Sequence, residues 1–151
     1  MANEVISGVI ERWHDYLRGT LEGGLETLLD EEVVFYSPIL YKPQEGRALA
    51  AMYLTAARQT FPGDDESAEE GEREFAERSF RYTKHVLDGD TAVLEFETTM
   101  DGIHVNGVDI IRCNDAGRIV EFRVMVRPLK GVETVQRKML ETLQSFAPPA
   151  T

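Results

Sequence analysis

The chain has 151 residues, 42% hydrophobic and 28% charged, with a formal net charge of −11. One polypeptide of this size is read as a single domain over residues 1–151 that buries roughly two-thirds of its unfolded surface. The acidic balance argues against nucleic-acid and anionic-membrane partners, because both need basic patches. No stretch approaches the roughly 18 apolar residues of a membrane span. Residues 1–13 lack the basic start and apolar run of a signal peptide, and the single cysteine, Cys113, excludes an internal disulfide. A reducing cytoplasm is the expected compartment.

Residues 3–18 carry Val5, Ile6, Val9, Ile10, Trp13, Tyr16 and Leu17 at helical spacing, with Asn3 as the expected N-cap and Gly19 as the stop. Residues 21–29 read as a short second helix with Leu25, Leu28 and Leu29 inward. Residues 32–37 read as a short strand ended by Pro38, and the following loop carries Tyr41 and Pro43. A third helix is expected over residues 47–60 between Gly46 and Pro62-Gly63, with Leu49, Met52, Tyr53 and Ala56 inward. The run 64–74, DDESAEEGERE, has no apolar residue larger than Ala68 and reads as a solvated loop, with a lid or a charged contact surface as the alternatives. Residues 75–87 read as a strand with room for a bulge, and Asp88-Gly89-Asp90 as a hairpin turn. Residues 91–100 form the next strand, with Ala92, Leu94, Phe96, Thr98 and Met100 on one face.

Residues 105–129, VNGVDIIRCNDAGRIVEFRVMVRPL, contain the strongest pattern in the chain. Two long strands alternate with period two, and Asn114-Asp115-Ala116-Gly117 supplies residues that tolerate left-handed geometry between them. Asp109 shares a face with Ile111 and Cys113, so a carboxyl group points where apolar side chains point. Such a group finds partners or stays protonated at neutral pH. Its neighbours Ile111, Cys113, Phe122 and Val124 carry no positive charge, and Arg112 and Arg123 lie on the opposite parity. Desolvation is therefore expected to raise its pKa. A C-terminal helix is expected over about 131–147, with Val132, Val135, Met139, Leu143 and Phe146 in one stripe, before a frayed APPAT tail.

Helices followed by antiparallel strands joined through short turns define an α+β layer. Three segments, IERWHDYLRGTLEGGLETLLDEEVVFYSP, EGRALAAMYL and VDIIRCNDAGRIVEFRVMVRPL, resemble the nuclear transport factor 2-like superfamily, in particular its SnoaL-like members. The likeness spans about residues 5–129. It implies a cone-shaped, curved antiparallel sheet packed on N-terminal helices, the cystatin-like arrangement, here with an extra C-terminal helix. A curved sheet closed at one end by helices leaves a cavity between the layers. The other sheet face, where Ile110 and Met125 are interleaved with Glu95, Arg112, Arg123 and Arg127, suits a self-complementary homodimer contact, and the resemblance implies a homodimer too. The fold alone does not select a function.

Within this superfamily the chain resembles ketosteroid isomerase over the first two helices and first strand. The general-base Asp of that enzyme, set before a Pro at the end of the first strand, falls on Ser37 before Pro38. Its oxyanion Tyr falls on Trp13, and its protonated oxyanion Asp falls on Asp109. Serine cannot act as a carboxylate base, and an indole N–H replaces a phenol. The resemblance thus excludes steroid isomerisation by that mechanism. The Asp–Arg–Asp arrangement of the epoxide hydrolases is not assembled either, since Val124 stands where a second inward carboxylate belongs. The acid/base Asp of SnoaL-like cyclases fits Asp109.

The expected pocket is lined by Trp13, Tyr16, Phe35, Ser37, Tyr53, Phe96, Ile111, Phe122 and Val124, with Asp109 as the one catalytic candidate. His14 and His85 are expected on the surface. His104 is expected to face outward unless a bulge at Asn106-Gly107 reverses it. No cluster has metal-ligand spacing, and no phosphate loop or nucleophile elbow occurs, so neither a metal nor a cofactor is expected. Two function classes stay open. One is a cofactor-free isomerase, cyclase or dehydratase acting on a small apolar carbonyl compound through Asp109. The other is a non-catalytic module that binds a small hydrophobic molecule or serves assembly, with Asp109 as a structural carboxyl satisfied by a backbone N–H or by Trp13, and with the cavity filled by Trp13, Phe122 and Met52.

Overall fold

The computed structural model describes residues 4–61 and 80–146. Asn3, the acidic run 64–74, the first part of the strand expected from residue 75 and the tail lie outside the described residues. Helix α1 spans Val5–Arg18 and buries Ile6, Val9, Ile10, Trp13 and Tyr16 along one stripe. Gly19 ends it with a positive φ of 77°, a conformation glycine adopts without steric cost. The second helix, α2, is one turn, Leu25–Leu28. Strand β1 starts directly after it, Leu29–Tyr36, and is longer than its sequence suggested.

Next come β2 (Gln44–Glu45), α3 (Arg47–Thr60), β3 (Arg81–Asp88), β4 (Thr91–Met100), β5 (Ile103–Cys113), β6 (Ile119–Arg127) and α4 (Leu129–Phe146). The six strands form one mixed sheet in the order β2-β1-β6-β5-β4-β3. All neighbours are antiparallel except β1 and β6, which run parallel. Register shifts in the β1–β6, β3–β4 and β5–β6 pairs let the sheet bend around the helices. Between β4 and β5 the register is continuous from Thr91 opposite Arg112 to Met100 opposite Ile103. There is thus no bulge at Asn106-Gly107, and His104 is exposed.

The main core packs α1, α2 and α3 on the inner faces of β1, β4, β5 and β6, with Leu28, Leu29, Val33, Leu94, Ile111 and Ile119 fully buried. A second cluster, Phe96, Met100, Val105 and Val135, lies beneath α4. The phase of α3 differs from the sequence reading. Its buried residues are Ala50, Leu54 and Ala56, whereas Met52 is 38% exposed. Small alanines let the helix approach β1 closely, which turns the bulkier Met52 to solvent. Helix α4 begins two residues before Gly131, and Gly131 lies buried in its first turn. A Cβ there would sit 3.3 Å from the carbonyl oxygen of His104. The glycine lets the helix cross β5 at backbone contact.

Candidate functional site

Helix α1, helix α3, the inner sheet face and α4 enclose a cavity of about 860 Å³, within the range of small-molecule sites. The alternation of β5 aims Asp109 into it. Asp109 pairs with Leu94 on one side and Val124 on the other, and is only 6% exposed. Trp13, Phe35, Ser37, Tyr53, Phe96, Phe122 and Val124 share the wall, as the sequence suggested.

Two expected wall residues lie elsewhere. Ile111 is fully buried in the core beneath α1, because the sheet's curvature brings that end of β5 against the helix. Tyr16 sits beside Trp13 with ring centroids 5.4 Å apart, and its outer face is covered by the Arg58 guanidinium, 5.1 Å from its centroid. Met52 fills nothing, since it faces solvent. Trp13 and Phe122 pack on each other at 4.9 Å and form wall rather than filling.

The sequence reading missed Tyr82. Its hydroxyl donates to Asp109 Oδ2 at 2.6 Å and accepts from Trp13 Nε1–H at 2.9 Å. The result is a directed chain, indole to phenol to carboxyl, linking α1, β3 and β5. Tyr82 is the hydrogen-bond partner of the Asp109 side chain among the described residues, and its donation accounts for only one carboxyl oxygen. Burial pushes the Asp109 carboxyl from its usual 3.8 up to about 7, and the Tyr82 hydrogen bond opposes this only in part. Burial, together with the Asp109 carboxylate it faces, raises the phenol of Tyr82 well above its ordinary value, so Tyr82 remains a donor.

A bulge hid Tyr82 from the sequence. The register of β3 against β4 slips between Tyr82 and Lys84, so Tyr82 and Leu87 both point inward although they stand five positions apart. Simple alternation cannot place both. Phe80-Arg81-Tyr82 was the available signal, because its two aromatics at spacing two continue the inward face of Phe96 across the sheet.

His14 also departs from expectation. It is half-buried at the cavity wall, its Nε2 lies 3.2 Å from Nε2 of the exposed His85, and its ring meets Tyr82 edge-on at 5.5 Å. Burial lowers its pKa below 6.5, and the neighbouring His85 adds to the effect. Ser37 accepts hydrogen bonds from the backbone N–H groups of Ile39 and Leu40 at 3.0 and 3.3 Å, which leaves its own O–H as a donor at the wall. Among the described residues no three His, Cys, Asp or Glu side chains gather as a metal-binding group, and no helix is long and apolar enough to cross a membrane.

Solved structures share this fold. A steroid delta-isomerase from Pseudomonas aeruginosa is 30% identical, with 95% of each chain covered and a TM-score of 0.78. An uncharacterised protein with a cystatin-like fold from Silicibacter pomeroyi is 30% identical over 88% of this chain and 83% of that one, with a TM-score of 0.70. A nuclear transport factor 2-like protein of unknown function from Mesorhizobium loti, 23% identical over 82% of this chain and 92% of its own, shares the fold with a TM-score of 0.62. No curated protein matches the sequence. The family model for the SnoaL-like domain matches residues 10–122. The chain therefore belongs to the SnoaL-like domain family, on a nuclear transport factor 2-like fold.

Proposed function

We propose that the protein binds a small, mostly apolar carbonyl compound in this cavity and that Asp109 moves a proton on it, as in an isomerase or cyclase that needs no cofactor. One observation carries the reading. A carboxyl that titrates near 7 lies in an aromatic cavity, hydrogen-bonded among the described residues to one phenol. An acid/base group works best when its pKa lies near the operating pH. Tyr82 occupies Oδ2 and steadies the ionised form, leaving Oδ1 for the transferred proton.

In the step we envisage, ionised Asp109 takes a proton from the carbon next to the carbonyl. The C–H electron pair becomes the C=C of an enolate as the carbonyl π pair moves onto oxygen; in a β,γ-unsaturated substrate the enolate is a dienolate, and Asp109 returns the proton at its γ-carbon. Ser37 and Tyr53 line the same cavity, and each carries a hydroxyl able to donate to an enolate oxygen. The Pseudomonas relative is a steroid delta-isomerase, and its 30% identity supports proton transfer of this class. Ser37 and Trp13 at the two other positions of the ketosteroid isomerase pattern argue for a different substrate.

The test is exchange in deuterated water. A panel of apolar ketones is incubated with the protein and α-hydrogen loss is followed by NMR. The expected result is exchange above background, rising through an inflection near pH 7, and absent in Asp109→Asn. If wild type and Asp109→Asn exchange alike while the ketones still bind, the cavity is a binding site without chemistry. The open cavity favours either of these over a filled assembly module.

A further inference from the structure

The chain as a whole carries −11, yet among the described residues the cavity wall holds three arginines, Arg18, Arg58 and Arg81, and one carboxyl group, Asp109. Arg18 pairs with Asp15 at 3.2 Å and Arg81 with Glu97 at 3.6 Å. Arg58 has no carboxylate partner among the described residues. A cation in the last turn of a helix is favoured by the helix dipole wherever it points. The dipole does not explain why this one is held at the cavity. The Arg58 guanidinium lies 5.1 Å over the ring of Tyr16, which stiffens it. One of its terminal nitrogens is also 3.0 Å from where a Cβ at residue 19 would stand. Gly19 thus gives the guanidinium room as well as ending α1. A planar guanidinium held in place is suited to a bidentate carboxylate.

We propose that the ligand of this cavity carries an anionic head, a carboxylate or its equivalent, that Arg58 holds at the mouth while the apolar body lies between Tyr53 and Phe122. The inference rests on the cavity being a small-molecule site and adds the charge class of the molecule. Arg58 also offsets, at the opening, the repulsion an anion meets on approaching an acidic protein.

The test uses two matched fluorescent probes. 8-Anilino-1-naphthalenesulfonate has an apolar body and an anionic head, and N-phenyl-1-naphthylamine is the same body without the head. Trp13, the single tryptophan, lines the cavity, so quenching of its emission reports binding there. The expected result is tighter binding of the anionic probe. Arg58→Gln should weaken it by about tenfold, the scale of one lost charge-assisted hydrogen bond, and leave the neutral probe unchanged. Arg58→Lys should retain most of the preference, and added salt should erode only the anionic probe's affinity. Equal binding of the two probes, with no effect of Arg58→Gln, overturns the anionic head and leaves the small-molecule site standing. Failure of both probes to quench Trp13 overturns the inference and the small-molecule reading together.

Discussion

Replacing Asp109 by Asn separates a carboxyl kept for its chemistry from one kept for stability. In the folded protein the group titrates near 7, against 3.8 ordinarily. Between about pH 4 and 7 the native state therefore keeps a proton that the unfolded chain has released, and folding stability falls as pH rises. At about 1.4 kcal/mol per pH unit, the rise from 3.8 to about 7 sets a ceiling of roughly 4 kcal/mol on that loss. Asn is nearly isosteric and keeps an acceptor for the Tyr82 hydroxyl, but it does not titrate. Urea midpoints of both proteins from pH 4 to 8.5 give the difference directly, because every other titrating group largely cancels. The expected outcome is that Asp109→Asn gains on wild type by a few kcal/mol across this range, ending neutral or more stable at pH 7. Parallel curves would show that the carboxyl is not perturbed. A loss of several kcal/mol in Asp109→Asn at neutral pH would mark an ionised, structural carboxylate and would remove the basis for proton transfer.

Three further outcomes follow from the same geometry. Tyr82→Phe removes the donor to Asp109 and the acceptor of Trp13 Nε1–H, so it should cost about 1–3 kcal/mol and move the Asp109 midpoint upward, seen as an alkaline shift in the exchange profile; an unmoved midpoint would mean that Tyr82 does not set the acidity. Gly107→Ala places a Cβ 2.4 Å from Phe96 Cζ and 2.5 Å from the Met125 carbonyl oxygen, and should lower stability by roughly 1–3 kcal/mol or more, with an unchanged denaturation midpoint as the contrary result. We also expect a homodimer through the outer sheet face, where Val86 and Met125 are 52% and 51% exposed among charged neighbours; light scattering should give twice the chain mass at micromolar concentration, and Met125→Glu should halve it.

The local pattern read well wherever one strand face is buried and the other is wet. On β4 and β5 buried residues alternate along nearly the whole length, so the bounds of β4 and the inward turn of Asp109 follow from period two, while β5 starts at Ile103, two residues before the expected Val105. β3 is different, because only Tyr82 and Leu87 of its eight residues are even partly buried. With so few apolar markers and a bulge between them, its inward residues could not be assigned. The parallel pairing of β1 with β6 joins segments some ninety residues apart, and β2 is only two residues long. Neither leaves a periodic trace. The helices show a related limit. α1 has seven apolar residues in a stripe and its face was plain, whereas α3 presents alanines that are apolar but small, so its phase was set by how closely the helix must approach β1 rather than by hydrophobicity.

That difference explains why the partners of Asp109 were harder to see than Asp109 itself. An inward carboxyl breaks a strand's alternation, and the break is visible in one segment. A Tyr or a His at the same wall breaks nothing, because aromatic side chains belong on inner faces whether or not their polar ends are used. Trp13 and Tyr82 sit on different elements and meet only after the sheet has bent toward α1. Their hydrogen bonds run in one direction, from Nε1–H to phenol and from phenol to carboxyl. A core built only for stability gains little from such a chain, since apolar residues of the same volume would fill the space without a desolvated acid. The cost of burying Asp109 is accounted for if the proton it holds near neutral pH is the one the cavity exists to move.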